Sequence, residues 1–191
     1  MKHLKTLSLA ALILFVFACA KPPQAEIDAA KAAVAKAAGN ADIVTYAPET
    51  LARAQDALAR MQTELTAKHY DKVKTAALEA ASAAEKATAD ALANKEKVKA
   101  DAAALIAVVK KALPETEKTI ASAKKIRGIK LNFTGLAKAV ADAKATVAAA
   151  EKDFASGDFM GARNTAAGVQ TSLADDGKLV ADAVQAATKK K

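Results

Sequence analysis

Cys19 is the only cysteine in the 191 residues. It stands directly after an apolar run, Leu7 to Ala18, which itself follows Lys2, His3 and Lys5. A lone thiol in that place can accept a modification, but it cannot close an internal disulfide or build a multi-cysteine metal site. Beyond it the chemistry is thin. His3 and His69 are the only histidines, and removal of a leader ahead of Cys19 leaves His69 alone, at what reads as a turn. Asp175 and Asp176 lack the partner residues that acid–base or metal work needs, and read as solvated or capping groups. No glycine-rich phosphate cradle occurs. Tyr46, Tyr70, Phe133, Phe154 and Phe159 fall at expected helix ends, where they plug a bundle or, alternatively, meet a partner or ligand. The expectation is a protein without catalytic, cofactor-binding or metal-binding residues, and not an enzyme.

Residues 1–18 read as a signal peptide: a basic start, then an apolar stretch of twelve residues which, at ~1.5 Å each, cannot cross a ~30 Å hydrocarbon core. Val16-Phe17-Ala18-Cys19 resembles the bacterial lipobox, in which a diacylglycerol is added to the cysteine thiol and cleavage leaves that cysteine as the acylated N-terminus. Phe17 departs from the small residue usual there. The alternative is ordinary cleavage after Ala18-Cys19-Ala20, which discards the cysteine and releases a soluble protein. Ala20 and Lys21 follow, with no aspartate to retain the chain at the inner membrane. The lipobox resemblance therefore implies an outer-membrane lipoprotein with lipid on Cys19, facing the periplasm.

Composition bounds the interior. Hydrophobic residues make up 52 % of the chain, but more than half of them are alanine, whose burial contributes little at ~25 cal/mol per Å². Few glycines and prolines and many alanines and lysines point to long helices packed through small side chains. The formal charge is +8; loss of Lys2 and Lys5 leaves +6, half of it in Lys189, Lys190 and Lys191. Acids and bases are otherwise interspersed, as in the i,i+4 pair Glu64 and Lys68. Nucleic acid is not an expected partner, because basic tails that bind it lack such acids and apolar seams. The partners expected are the membrane, through Cys19, and an envelope protein or cell-wall polymer.

Six helices are expected. The first covers Ala25 to Ala38 and ends at Gly39-Asn40, and a loop runs through Asp42 to Tyr46. Pro48 opens a second helix with a seam of Leu51, Ala54, Leu58, Met61 and Leu65. After Lys68-His69, a third carries Tyr70, Val73, Ala77, Ala80, Ala84, Ala87, Ala91, Val98, Ala102, Leu105 and Val109 until Pro114 restarts or kinks the chain into a fourth helix around Ile120 and Ala123. Leu113-Pro114-Glu115-Thr116-Glu117 resembles a sortase signal but lacks the final glycine, and reads as a helix start. Gly128 to Gly135 is a loop. A fifth helix shows Leu136, Val140, Ala143, Val147, Ala150 and Phe154. Past Ser156-Gly157-Asp158, a sixth shows Phe159, Ala162, Ala166, Val169, Leu173, Val180 and Val184.

A shift of 89 residues aligns Leu51 with Val140, Ala54 with Ala143, Leu58 with Val147, Leu65 with Phe154, Tyr70 with Phe159 and Val73 with Ala162. The fold class expected is all-α, an elongated bundle of antiparallel helical hairpins with two similar repeats and coiled-coil-like seams. Its segments are a signal peptide (1–18), a lipidated tether and first helix (19–46), a first hairpin and following helix (47–127), and a second hairpin with a lysine tail (128–191).

Ala47-Pro48-Glu49-Thr50-Leu51, then Ala54, Leu58, the turn at Lys68-His69-Tyr70 and the run Ala76-Ala77, Ala80-Ala81, Ala84 resemble an alanine-rich domain of unknown function found in small bacterial envelope lipoproteins. In relatives that domain can be joined to a peptidoglycan-binding domain of the outer-membrane-protein-A type, which this chain lacks. The likeness covers about residues 46–93, and more faintly 136–179. Lys68-His69 stands where Gly-Asp is common, and Gly157-Asp158 restores that pair in the second copy. The resemblance implies an envelope helical module and supplies no catalytic residues. The function expected is a non-enzymatic scaffold or protein-interaction module of the envelope. The alternative is a periplasmic carrier that holds an apolar ligand between the hairpins.

Overall fold

The computed structural model describes residues 21–189, and these are all-helical, with six helices and no strand among them. The helices are α1 (Gln24–Ala38), α2 (Ala41–Tyr46), α3 (Pro48–Thr66), α4 (Tyr70–Lys124), α5 (Phe133–Ser156) and α6 (Phe159–Thr188). They form two compact units that divide between Ala91 and Leu92, inside α4.

In the first unit, Ile27, Ala30, Val34 and Ala37 step by three and four along α1 and are buried, as the helical period requires. The Asp42-to-Tyr46 segment, expected as a loop, is the short helix α2. The Asn40 side chain accepts a hydrogen bond from the Asp42 backbone N–H at 2.9 Å, and Ile43 and Tyr46 are buried one turn apart. Packing of α1, α2 and α3 on one another holds this six-residue helix, which would not persist alone. Pro48 sits at the start of α3, where its missing N–H leaves no intrahelical bond unmade.

Along α3 the buried residues are Leu51, Ala54, Ala57 and Met61, whereas Leu58 and Leu65 are half-buried. The expected two-helix seam is thus displaced. α3 packs against α1 as well as meeting α4, so its buried face is broader and Ala57 falls within it. Thr50 Oγ1 donates to Asp90 Oδ2 at 2.7 Å and Arg60 pairs with Glu79 at 2.7 Å. A step up α3 is therefore a step down α4, so these helices run antiparallel.

In the second unit, Lys110 pairs with Glu151 at 2.6 Å and Lys144 with Glu117 at 2.7 Å, which likewise sets α4 and α5 antiparallel. α6 folds back on α5. One core patch is nearly all alanine, Ala102, Ala150, Ala162 and Ala166 around Ile106, so three backbones approach through methyl groups. A second is bulkier, with Val109, Leu113, Ile120, Leu136, Val140, Val147, Val169, Leu173 and Val180. Leu105, expected inward, is half-buried, and its neighbour Ile106 is buried in its place.

Pro114 does not restart the chain: α4 runs through it to Lys124. Proline removes the N–H that would bond to the carbonyl of Lys110, and costs a helix interior roughly 3 kcal/mol. Burial of Leu113, Ile120 and Ala123 on both sides of it in the bulkier patch opposes that cost and keeps the helix continuous.

The turns after α3 and α5 make the same bonds, 89 residues apart. His69 N–H donates to the Glu64 carbonyl at 3.0 Å, as Asp158 N–H does to Asp153 at 2.9 Å. Lys68 N–H donates to Leu65 and Gly157 N–H to Phe154, both at 3.1 Å. Gly157 takes φ +90°, which glycine permits without strain, and Lys68 takes φ +59°, the one positive φ among the described non-glycine residues. The turns differ in the cap. Asp158 Oδ1 accepts from Gly161 N–H at 2.8 Å, whereas His69 turns back to Glu64.

Candidate functional site

Cys19, the segment 1–18, Lys190 and Lys191 lie outside the described residues. The five aromatic residues do not share one site. Tyr46 is buried on α2, and Tyr70 is half-buried at the first position of α4. Phe133 packs against the bulkier patch of the second unit, and Phe154 against the alanine patch. Phe154 and Phe159 are brought together: their ring centroids are 5.2 Å apart with planes tilted by 59°, and Lys99 Nζ lies 5.6 Å from the Phe159 centroid. A tilted pair with a cation on its outer ring closes the end of the α5–α6 turn.

His69 is exposed, and its Nδ1 lies 2.7 Å from Glu64 Oε2, with Lys72 Nζ 3.9 Å from the other carboxylate oxygen. Lys68, His69, Tyr70, Asp71 and Lys72 line an open hollow of about 420 Å³. Beside it, Arg60, Glu64, Asp71, Lys72, Thr75 and Glu79 line a polar groove of about 310 Å³ between α3 and α4. The ion pairs around these hollows join exposed cations to exposed Glu79 or half-buried Glu64, across a turn or between helices. Such pairs orient a surface, and their contribution to stability is small.

Three carboxylates are perturbed. Lys86 donates to both oxygens of Asp90, at 2.8 and 3.0 Å, and with the Thr50 hydroxyl holds that carboxyl below its ordinary range. Thr50 belongs to the Ala47–Leu51 motif, and its work here is to tie the start of α3 to α4. Hydrogen bonding at its own backbone, then Lys74 at 3.3 Å, lowers Glu26 and joins α1 to α4. Asp176 moves the other way. It sits between Leu173 and Val180 on the inward stripe of α6, where burial and then the neighbouring Asp175 push its carboxyl up.

A basic end of the second unit was not singled out from sequence, although its signal is plain once sought. Between Glu117 and Asp142 there are six cations and no acid: Lys118, Lys124, Lys125, Arg127, Lys130 and Lys138. The structure sets them on the last turns of α4, the 125–132 connection and the first turns of α5. Next to them an open groove of about 400 Å³ runs between α4 (Lys118, Thr119, Ser122, Ala123) with Ile126 of the connection on one side and α6 (Val180, Ala181, Val184) on the other.

Among the described residues, no three His, Cys, Asp or Glu side chains stand close enough together to hold a metal ion. No helix there is long and apolar enough to cross a membrane. No curated protein and no solved structure matches the chain. Residues 25–103, which span α1, α2, α3 and α4 as far as Ala103, match the model of a domain of unknown function, DUF4398.

Proposed function

We propose that the chain is a bacterial envelope lipoprotein, anchored in the outer membrane through lipid on Cys19 and facing the periplasm. There it acts as a non-enzymatic helical scaffold or protein-interaction module. The observation that carries this reading is the place of the chain's only cysteine, directly behind a basic start and a short apolar run. A thioether-linked diacylglycerol with an N-acyl chain supplies more than one hydrocarbon tail, and at ~0.8 kcal/mol per buried CH₂ two or more tails anchor stably where one does not. Support for the scaffold role comes from the surface. Val44 and Leu78 in the first unit, and Leu92, Val108 and Leu179 in the second, are large apolar side chains left exposed on helical faces. We read the two hairpins, α3 with the start of α4 and α5 with α6, as copies of one pattern with coiled-coil-like seams. The 89-residue offset of their turn hydrogen bonds supports that duplication.

The test is Cys19→Ser, which removes the nucleophile while barely changing the hydropathy of the leader. The parent should incorporate labelled fatty acid and fractionate with the outer membrane. The variant should lose the label and be released or held unprocessed, with unchanged helical circular dichroism. A variant that stays in the outer membrane as fully as the parent would mean that a protein contact is the anchor. An unlabelled parent whose mature N-terminus is Lys21 would establish cleavage after Ala20 instead. Crosslinking in intact cells followed by mass spectrometry identifies the partner, and a stoichiometric lipid extracted with the pure protein would favour the carrier.

A further inference from the structure

Charge is unevenly divided between the two units. Residues 21–91 hold nine basic and ten acidic side chains, whereas residues 92–191 hold eighteen and eleven, so the positive balance of residues 21–191 lies wholly in the second unit. Within that unit it concentrates at one end. Lys118, Lys124, Lys125, Arg127 and Lys130 are all exposed. The acids that bracket the stretch are already engaged, Glu117 by Lys144 at 2.7 Å and Asp142 by Lys138 at 2.6 Å. Asp182, exposed on α6 next to the groove residue Ala181, is the nearest acid along the other wall, and Lys178 and Lys189 outnumber it there. Val184 lines the groove, and the exposed Lys189 follows it by five residues, about 7.5 Å along a helix, so it adds a cation at this same end.

The connection is amphipathic as well as basic. In Lys124-Lys125-Ile126-Arg127-Gly128-Ile129-Lys130-Leu131, the cations are exposed and Ile126, Ile129 and Leu131 are half-buried, each keeping part of an apolar side chain at the surface. Gly128, at φ +82° with open space where a Cβ would stand, lets the chain reverse between them. An acidic protein would be met by the cations alone. Cations standing among part-exposed aliphatic groups instead suit a surface that is anionic at the level of its headgroups and apolar just beneath.

We propose that this end of the second unit, Lys118 to Leu131, docks on an anionic phospholipid bilayer, independently of any lipid on Cys19. The mature chain from residue 19 onward, with Cys19→Ser so that neither leader nor lipid is present, is mixed with vesicles of phosphatidylcholine alone or with about a third phosphatidylglycerol, and bound protein is measured by flotation. Each Lys or Arg at an anionic surface contributes about fivefold to partitioning. The quadruple variant Lys124→Gln, Lys125→Gln, Arg127→Gln, Lys130→Gln should therefore lose several hundredfold, about 5⁴, on the anionic vesicles only, and the parent's binding should fall as salt rises. A control that removes four exposed cations of the first unit, Lys31→Gln, Lys36→Gln, Arg53→Gln and Lys68→Gln, should bind like the parent. Circular dichroism melts verify that each variant is folded. Equal losses in both variants would overturn the proposal in favour of net charge. Equal binding of the parent to both vesicles would overturn it in favour of an apolar contact. Binding to soluble polyglutamate as tight as to the anionic vesicles would overturn it in favour of an acidic polymer or protein.

Discussion

Exchanging the residues at the two equivalent turns isolates a backbone cost. Lys68 stands at φ +59° in the turn after α3, and Gly157 at φ +90° in the turn after α5, with matching hydrogen bonds around them. A left-handed conformation costs a residue with a Cβ roughly 1–2 kcal/mol, and glycine's greater freedom in the unfolded chain takes back roughly 0.5–1 kcal/mol. Lys68→Gly should thus stabilise the first unit by about 0.5–1 kcal/mol, and Gly157→Lys should destabilise the second by a similar amount. Steric clash does not blur the comparison, because a Cβ at Gly157 meets nothing within 4 Å. Adding His69→Asp to Lys68→Gly completes the second turn's chemistry. It sets a carboxylate where Asp158 caps Gly161 N–H at 2.8 Å, the counterpart of Lys72 N–H. That cap contributes about 1 kcal/mol, against at most about 1 kcal/mol for the exposed His69–Glu64 contact it replaces. Urea unfolding followed by circular dichroism reads all three variants. A Lys68→Gly protein no more stable than the parent, with Gly157→Lys equally silent, would refute the strain argument.

Core and pH behaviour supply the other predictions. Met61→Ala should cost about 2–4 kcal/mol in urea unfolding because Met61 is fully buried, whereas Leu58→Ala should cost about half of that or less; the reverse order would restore the heptad assignment. Asp176 has a raised pKa in the fold, so the folded state holds its proton more tightly, and stability from that group is complete below pH 3.8 and lost as pH climbs through the folded value. Asp176→Asn should therefore raise the melting temperature near neutral pH and lose that advantage below pH 3.8. Asp90, held low by Lys86 and Thr50, has the opposite sign: its contribution is present above pH 3.8 and fades as pH falls. Asp90→Asn should lower the neutral melting temperature and converge with the parent in acid.

Where residues recur at helical spacing on α5 and α6, the sequence predicts most inward positions, with Phe154, Phe159 and Val184 only half-buried. Leu136, Val140, Ala143, Val147 and Ala150 on α5 are all buried, as are Ala162, Ala166, Val169, Leu173 and Val180 on α6. Where alanine dominates, the period blurs. In Ala-Leu-Ala around residues 57–59, or in Leu105-Ile106, neighbouring positions have nearly equal claims on the interior, and only the direction of the packed helices decides. α2 and the passage of α4 through Pro114 were illegible for a related reason. Local propensity opposes both, and tertiary burial overrides it, by Ile43 and Tyr46 in one case and by Leu113, Ile120 and Ala123 in the other.

The basic end of the second unit was harder to read, because it is carried by the order of charges rather than by a motif. A chain-wide balance of +8 with acids and bases interspersed conceals a stretch of 24 residues, 118–141, that contains no acid at all. The burial pattern makes such a surface the natural place to seek function. Alanine at helix contacts brings backbones close and leaves little interior volume, and no polar or charged residue among those described is buried. A buried polar group aimed at a void is the usual mark of a small-molecule site. Helices packed through methyl groups instead place their chemistry on exposed rows, where a run of one charge sign interleaved with aliphatic side chains selects a partner by the charge and polarity of its surface.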